Sequence, residues 1–374
     1  MIIMEKVAIM TWFSYENYGT ALQVTALCNV ITDFGFSPYV INYMPRQNKR
    51  NIRLSRVFSY ISKLLVKWRS GGMYEDAERK NKFNVFIDKH IVLTEKCNDS
   101  GELANLNRDF NVFVCGSDQI WSPACFDAHY FLDFVDESVK KVAYAPSIGL
   151  SFVEDENIRR DMSKYISDFR SVSIREKQGA DIIKGICGRD VPVVLDPVFL
   201  LDKKKWSEVI PLDTRASIKE KYILCYFLGF NESVWMHVKK IADMTKLKVI
   251  VIPRYNRDLS RGYEVKRATG PVEFVELIKN AELVLTDSFH GLVFSVTFEK
   301  PFFVFERFKT NDYKNQNSRI YNIISLLGLE SRLVLGKTNI EKRDIDLEYA
   351  KINGKLTILK SQSLEYLRNA LNTI

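Results

Sequence analysis

The sequence lacks the motifs that would assign it to several large enzyme classes. It contains no G-x-x-x-x-G-K-[ST], no H-E-x-x-H and no G-x-S-x-G, and no G-x-G-x-x-G follows a predicted strand. These absences argue against a P-loop NTPase, a zinc protease of that type, an α/β-hydrolase and a dinucleotide-dependent oxidoreductase. No nucleic-acid-binding motif is present either, so we expect no nucleic-acid partner.

Cysteine and histidine are scarce and dispersed. Among 374 residues there are 6 cysteines, none in a C-x-x-C pair, and 4 histidines. We therefore predict reduced thiols in a cytoplasmic protein, with no disulfide framework and no metal site. No run of about 18 uncharged apolar residues is present, which predicts that no segment spans a membrane.

The chain carries a modest excess of positive charge. It has 54 Lys and Arg against 46 Asp and Glu, a formal net charge of +8. This excess suits anionic ligands, an anionic membrane surface or nucleic acid, but it is also common among cytosolic proteins. Charge alone therefore selects no partner.

Short apolar strands alternate with helical patterns along the chain, which predicts a parallel α/β architecture. Predicted strands lie at 7–11, 38–43, 110–115, 141–144, 172–174, 193–195, 222–228, 249–252, 283–286 and 302–305. Helices are predicted at 21–34 and 356–371. Charged clusters at 202–205 and 213–221 indicate a linker. We predict an N-terminal domain over 1–205, a C-terminal domain over 218–350 and a terminal helix over 351–374, with a cleft between the two domains.

One insertion, residues 46–82, differs from the rest of the predicted N-terminal domain. Its first part, 46–69, is rich in Lys and Arg, and its apolar residues recur at helical spacing. A basic amphipathic helix of this kind can lie on an anionic bilayer, which would give peripheral contact with the inner face of a membrane. The alternative is that the apolar stripe packs on its own domain.

The stretch Asp287-Ser288-Phe289-His290-Gly291 joins an apolar strand to an apolar helical pattern. Ligands of open α/β sheets bind at the carboxyl ends of the strands, and a helix N-terminus favours phosphate or carboxylate. His290 is thus a candidate catalyst or anion ligand. The alternative is a structural histidine that only makes hydrogen bonds.

Three further polar loops follow predicted strands. In the loop at 14–23, Asn17 and Gly19 allow a tight turn before a helix. After the strand at 110–115, Asp118 can accept a proton from a sugar hydroxyl, or it can cap a helix. The side chain of Arg175 suits a carboxylate or phosphate, or it forms a salt bridge with Glu176 or Asp181.

Five short stretches, taken in order, resemble the polysaccharide pyruvyl transferase family. They are Asn17-Tyr18-Gly19-Thr20-Ala21-Leu22-Gln23, Gly116-Ser117-Asp118-Gln119-Ile120-Trp121, Ser173-Ile174-Arg175-Glu176, Leu195-Asp196-Pro197-Val198 and Thr286-Asp287-Ser288-Phe289-His290-Gly291. The resemblance implies two Rossmann-like domains facing a central cleft, as in GT-B glycosyltransferases. It implies phosphoenolpyruvate as donor and no cofactor. The implied acceptor is a sugar of a surface polysaccharide or its lipid-linked precursor, and the implied product is a cyclic pyruvate ketal.

Roles for individual residues follow from this resemblance and from the chemistry. We expect donor binding by Arg175, Ser288, Gly291 at the helix start, and Arg319. Many family members carry arginine where this chain has Ser288. Either Ser288 and the helix N-terminus replace that arginine, or another cation does, for which Arg307 and Arg319 are the candidates. We expect His290 to be the acid or a phosphate ligand and Asp118 to be the base. The acceptor is expected near Asn17, Gln23 and Ser117.

Two other functions are compatible with the same sequence. The first is a nucleotide-sugar glycosyltransferase of GT-B architecture, which would bind nucleotide sugars and not phosphoenolpyruvate. The second is a non-catalytic, membrane-associated assembly protein that uses the basic segment 46–69.

Overall fold

The computed structural model describes residues 4–14, 16–44, 70–210, 218, 220–307, 317–336 and 338–372. The predicted basic helix at 46–69 lies outside the described residues. Most of the second charged cluster of the predicted linker, 213–221, also lies outside them.

The first half of the chain forms a sheet of six parallel strands. They are β1 Lys6–Met10, β2 Ser37–Tyr43, β3 Leu93–Cys97, β4 Val112–Cys115, β5 Lys140–Ala143 and β6 Ser171–Val172. Their order across the sheet is β3-β2-β1-β4-β5-β6. This is the Rossmann order, in which the direction of winding reverses between β1 and β4.

The second half repeats this arrangement. Its strands are β7 Tyr222–Tyr226, β8 Lys248–Val251, β9 Glu264–Val265, β10 Leu283–Thr286, β11 Phe302–Phe305 and β12 Leu333–Val334. They are parallel and lie in the order β12-β11-β10-β7-β8-β9. Counted from β7, this is the same Rossmann order, with the reversal between β7 and β10. The predicted architecture of two Rossmann-like units is confirmed.

Helices connect the strands and cover both sheets. They are α1 Tyr18–Asp33, α2 Ala77–His90, α3 Ser100–Ala104, α4 Glu156–Ser167, α5 Lys177–Cys187, α6 Lys203–Val209, α7 Ser233–Thr245, α8 Pro271–Asn280, α9 Phe289–Thr297, α10 Ser318–Leu327 and α11 Ala350–Asn372. None of the helices within the described ranges is both long and apolar enough to cross a membrane.

One apolar cluster runs through both halves of the molecule. It includes Val7 and Ile9 of the first sheet, Leu224 and Ile250 of the second, and much of α1. Parallel strands covered on both faces are expected to be almost wholly apolar, as these are. Because α1 is buried on nearly every side, it packs between the two sheets as part of this shared core.

Tyr18, the first residue of α1, joins the two halves directly. Its ring stacks on Phe274 of α8 with 4.3 Å between centroids. Its hydroxyl donates to the Thr269 carbonyl oxygen at 2.9 Å. The start of α1 is therefore fixed against the second half, and the loop before α1 is held at the junction.

Some predicted elements differ from the observed ones. The predicted strand at 193–195 is a single bridge between Ile174 and Val193, because the chain turns at once into a short 3-10 helix at Pro197–Leu200. Strands β3, β9 and β12 were not predicted, since each is short or half-exposed and lacks a clear apolar run.

The terminal helix α11 returns to the first sheet. Its Ser363 hydroxyl accepts from the Leu195 amide at 3.0 Å, and its Tyr366 hydroxyl donates to the Ala143 carbonyl oxygen at 3.1 Å. The helix thus packs against the half that is distant from it in sequence. The domain bounds given above stay a prediction.

Candidate functional site

The central strand pairs of both sheets end at one cavity of about 350 Å³. Its walls come from the loops that follow β1, β4, β7, β8, β10 and β11 and from the start of α10. They are formed by Trp12, Asn17, Thr20, Asp118, Gln119, Cys125, Leu228, Arg254, Ser288, Phe289, His290, Arg307 and Arg319. Both topological reversals therefore face the same space, which is where open α/β sheets bind ligands.

A buried carboxylate lies behind this cavity. Asp196 is 0% exposed, and its Oδ2 accepts from Arg175 Nη1 at 2.7 Å. The same oxygen lies 3.5 Å from His290 Nε2, and Oδ1 accepts from the Val198 amide at 3.0 Å. Asp196 thus connects an arginine of the first half to the histidine of the second.

The ionised form of Asp196 is the favoured one. Burial raises its pKa, but His290, Arg175 and the Val198 N–H together outweigh burial and hold the pKa well below its ordinary value. The ionised Asp196 is therefore a fixed anionic neighbour of His290.

Gly19 allows the histidine to approach α1. A Cβ atom at Gly19 would lie 1.9 Å from His290 Nδ1, far inside contact distance. The ring of His290 is therefore held between the backbone of α1 on one side and Asp196 on another. The glycine predicted as part of a tight turn is needed for this contact between the halves.

Asp118 enters the cavity from the first half. It has a positive φ of 69°, and its Oδ1 accepts from the Gln119 amide at 2.8 Å. Its Oδ2 accepts from the Thr20 hydroxyl at 2.7 Å. These bonds fix the orientation of the carboxylate in the cavity wall, and its role as the base stays a prediction.

Two predicted acceptor residues lie beneath the cavity and do not form its wall. Gln23 is 0% exposed, and its amide bonds to Thr11 Oγ1 and to the Ser117 N–H, both at 3.1 Å. The Ser117 hydroxyl donates to the Ala145 carbonyl oxygen at 2.8 Å. Both side chains therefore hold the loops after β1 and β4 together. Asn17 does line the cavity, where it also caps α1 by accepting from the Gly19 amide at 3.0 Å.

Arg175 is buried behind the cavity wall. Its side chain is 1% exposed and forms a short salt bridge with Asp196, with 2.7 Å between Nη1 and Oδ2. The predicted salt bridge with Glu176 is also present but longer, with 4.0 Å between Nε and Oε2. Among the described residues, Nε and Nη2 have no hydrogen-bond partner. The guanidinium also lies 4.7 Å from the ring centroid of Phe289, a cavity residue. The structure therefore does not place Arg175, a predicted donor-binding residue, in the cavity wall.

Ser288 and Gly291 have different surroundings. Ser288 lines the cavity and caps α9, because its Oγ accepts from the Gly291 amide at 3.2 Å. The Gly291 amide is therefore already hydrogen-bonded within the protein. Gly291 is instead required for packing, since a Cβ there would lie 2.5 Å from Thr286 Oγ1.

Three arginines surround the open part of the cavity, namely Arg254, Arg307 and Arg319. Burial lowers the pKa of Arg319 to about 9, and the nearby positive charge of Arg175 adds to this, although Asp118 and Glu176 oppose it. Asp118 is the one acid in the cavity wall within the described residues. The cavity is consequently cationic, and a bound anion would stabilise it.

Asp287, which precedes the Ser288 cap, shapes the wall from behind. Its Oδ1 accepts from the Leu228 amide at 2.5 Å, and its Oδ2 accepts from the Gly229 amide at 2.7 Å. Burial raises its pKa to about 6, although these two amides and Arg307 favour the carboxylate. Asp287 therefore anchors the loop after β7 and does not face the cavity.

The sequence match to a known family agrees with this arrangement. A family model described as polysaccharide pyruvyl transferase matches residues 17–307, which is most of the chain. The chain belongs to the polysaccharide pyruvyl transferase family. No curated protein matches it.

This family member is similar to several solved structures over most of its length. The UDP-GlcNAc 2-epimerase of Methanocaldococcus jannaschii is 11% identical with a TM-score of 0.50, over 96% of this chain and 100% of the epimerase. The Neisseria meningitidis enzyme of the same name is 11% identical with a TM-score of 0.48, over 98% and 97%. An Escherichia coli heptosyltransferase is 8% identical with a TM-score of 0.39, over 86% and 97%. The first likeness supports the predicted GT-B-like fold.

Two residues of this pyruvyl transferase family member received no role from sequence patterns. Asp196 stands in one of the five matched stretches, and its position directly after a short apolar run was the available signal. Arg254 follows β8, so it shares the carboxyl-end placement of the other candidates. Nothing in its local sequence, Ile252-Pro253-Arg254-Tyr255, distinguishes it from a surface arginine.

We predict that Gly19→Ala displaces the His290 ring, because the new methyl group would occupy the same space. Side-chain NMR of the four imidazoles should show one shifted ring in this variant. Gly354→Ala is the matched control, since a Cβ there meets nothing within 4 Å and alanine favours a helix. Unchanged imidazole signals in Gly19→Ala would contradict the contact.

We predict that Asp287 makes the protein less stable as pH rises from 4 to 7. Its pKa is raised to about 6 in the folded state, so the native protein holds this proton more tightly than the unfolded chain does. Relative to Asp287→Asn, the free energy of unfolding of the wild type should fall by up to about 3 kcal/mol over this range. Denaturant titration at each pH measures this, with the exposed Asp109→Asn as control. A constant difference across the range would contradict it.

Proposed function

We propose that the protein transfers pyruvate from phosphoenolpyruvate to a sugar of a surface polysaccharide or its lipid-linked precursor. The product is a cyclic ketal that bridges two hydroxyls of the sugar. Family membership and the cationic cavity between the two sheets support this proposal.

The buried guanidinium of Arg319 is the observation that carries the proposal. It lines the cavity at 8% exposure, and burial lowers its pKa to about 9. An anion bound beside a buried cation is attracted strongly, because the low dielectric of the interior strengthens the interaction. Phosphoenolpyruvate brings a phosphate and a carboxylate, so it can compensate Arg319 and also accept hydrogen bonds from Ser288 and His290 at the start of α9.

The reaction forms two C–O bonds and breaks one. A proton adds to the methylene carbon of the donor, and a sugar hydroxyl oxygen bonds to C2. A second hydroxyl oxygen then displaces phosphate from C2. The two hydroxyls release two protons, of which one balances the proton gained by the methyl group and the other leaves with phosphate or solvent.

His290 and Asp118 are the groups suited to these proton transfers. His290 is the acid, since it lines the cavity at the start of α9 and an imidazole is suited to proton transfer. Asp118 is the base for the attacking hydroxyl, and the Thr20 hydroxyl fixes its orientation. They approach the cavity from opposite halves, so donor and acceptor can be held on facing walls.

Acceptor binding is assigned to the wall of the first half, where Trp12 and Asn17 lie beside Asp118. An aromatic ring with neighbouring polar groups suits a sugar, whose surface has both apolar and hydroxyl faces. The reaction belongs in the cytoplasm, where phosphoenolpyruvate is made. Membrane contact through 46–69 remains a prediction on residues outside the described part.

We predict that Arg319→Ala weakens phosphoenolpyruvate binding by about ten- to a hundredfold, the loss of one charge-assisted hydrogen-bonded contact of about 1.5–3 kcal/mol. Isothermal titration calorimetry measures this, with UDP- and GDP-sugars titrated in parallel. Arg343→Ala is the control, because it removes the same charge from an exposed side chain. Binding of a nucleotide sugar without binding of phosphoenolpyruvate would contradict the proposal.

We predict that His290→Gln lowers kcat by about 100- to 10,000-fold, the usual contribution of a general acid. Phosphate release from phosphoenolpyruvate in the presence of the acceptor saccharide measures this. The variant should remain folded, with a lower thermal unfolding midpoint than the wild type, because the buried Asp196 loses one of its partners. Wild-type turnover by this variant would remove His290 from the chemistry.

A further inference from the structure

Two of the three cavity arginines lie on the wall of the second half. Arg254 follows β8, and Arg307 follows β11. These strands flank the central pair β7 and β10 on either side. Both arginines therefore reach the cavity from the carboxyl edge of the same sheet, with Leu228 of the loop after β7 in the same wall.

The backbone of Arg254 is fixed on both sides. Its amide donates to Asp258 Oδ2 at 3.0 Å, and its carbonyl oxygen accepts from the Tyr74 amide at 3.0 Å. Asp258 Oδ1 accepts from Arg261 Nε at 3.1 Å. Both carboxylate oxygens of Asp258 therefore already accept hydrogen bonds, from the backbone and from Arg261. Among the described residues, the buried Nε of Arg254 has no hydrogen-bond partner.

Arg307 lies close to the same loop. Its Cγ would be 3.0 Å from a Cβ at Gly229, whose amide donates to Asp287. Burial raises the pKa of Tyr255, and both Arg254 and Arg307 oppose this increase. Both guanidinium groups therefore lie within electrostatic range of one tyrosine beside the cavity.

Together, Arg254 and Arg307 carry more positive charge than a single ligand carboxylate would balance. Arg319 already provides positive charge near α9, and Asp118, the acid of the cavity wall, comes from the opposite half. Two guanidinium groups with planar donor arrays match the charge and oxygen geometry of a phosphoryl group.

We propose that Arg254 and Arg307 form a phosphoryl-binding subsite on the second-half wall, in addition to the contacts at Arg319 and His290. The subsite holds the phosphoryl group of phosphoenolpyruvate, with the donor carboxylate at Arg319, or a phosphoryl group carried by the acceptor. Only this choice of source rests on the proposed function.

Inorganic pyrophosphate is the probe, titrated by calorimetry into the full chain. We expect Arg254→Gln and Arg307→Gln each to weaken its binding at least tenfold, and the exposed control Arg343→Gln to bind like the wild type. Arg254→Lys, which keeps the charge and loses the planar fork, should bind with intermediate affinity. It tests the same contact if the glutamine variant unfolds.

A second titration, into protein saturated with phosphoenolpyruvate, distinguishes the two sources. Exclusion of the probe assigns the subsite to the donor, and simultaneous binding assigns it to the acceptor. The inference is overturned if wild-type protein does not bind pyrophosphate, or if folded Arg254 and Arg307 variants bind it with wild-type affinity. Failure of the wild type to bind phosphoenolpyruvate would overturn the proposed function instead, since the pyrophosphate titration needs no donor.

Discussion

The burial of Asp196 constrains the rest of the site. A carboxylate with no exposure to water is stable only when its charge is compensated, and the compensation comes from Arg175, His290 and a backbone amide. Arg175 belongs to the first half of the chain and His290 to the second. The apolar cluster that includes α1 holds the two sheets together, and this contact brings the side chains of Asp196, Arg175 and His290 close to one another.

The positive charges of the site lie at two depths. Arg175 is behind Phe289, where it compensates Asp196, while Arg319 contacts both the Phe289 ring and the cavity. The buried Arg175–Asp196 pair keeps His290 oriented. The three arginines in the cavity wall give the cavity its affinity for anions. A ligand with two anionic groups fits this arrangement of charges better than a neutral sugar alone. The opposite wall, which comes from the first half of the chain, leaves room for an acceptor beside Asp118.

Much of the fold and part of the site follow from the sequence. Strands such as Leu283–Thr286 are short apolar runs bounded by polar turns, so their positions and the α/β class were predictable. The polar loops at the carboxyl ends of strands suggested His290, Asp118, Ser288 and Asn17, and the structure places all four in the cavity wall. Local sequence patterns do not show how far a side chain lies from the cavity or which distant residues it contacts. Gln23 and Ser117 lie one layer beneath the cavity wall. Asp196 and Arg254 matter because of partners distant in sequence.

The most direct test of this account is a crystal structure of the protein with phosphoenolpyruvate bound. The account predicts that the donor occupies the cavity between the sheets, with its anionic groups within hydrogen-bond distance of Arg319 and Ser288 and its methylene carbon facing His290. Phosphoenolpyruvate bound outside this cavity, or a cavity that takes up only a nucleotide sugar from a mixture of the two, would contradict it.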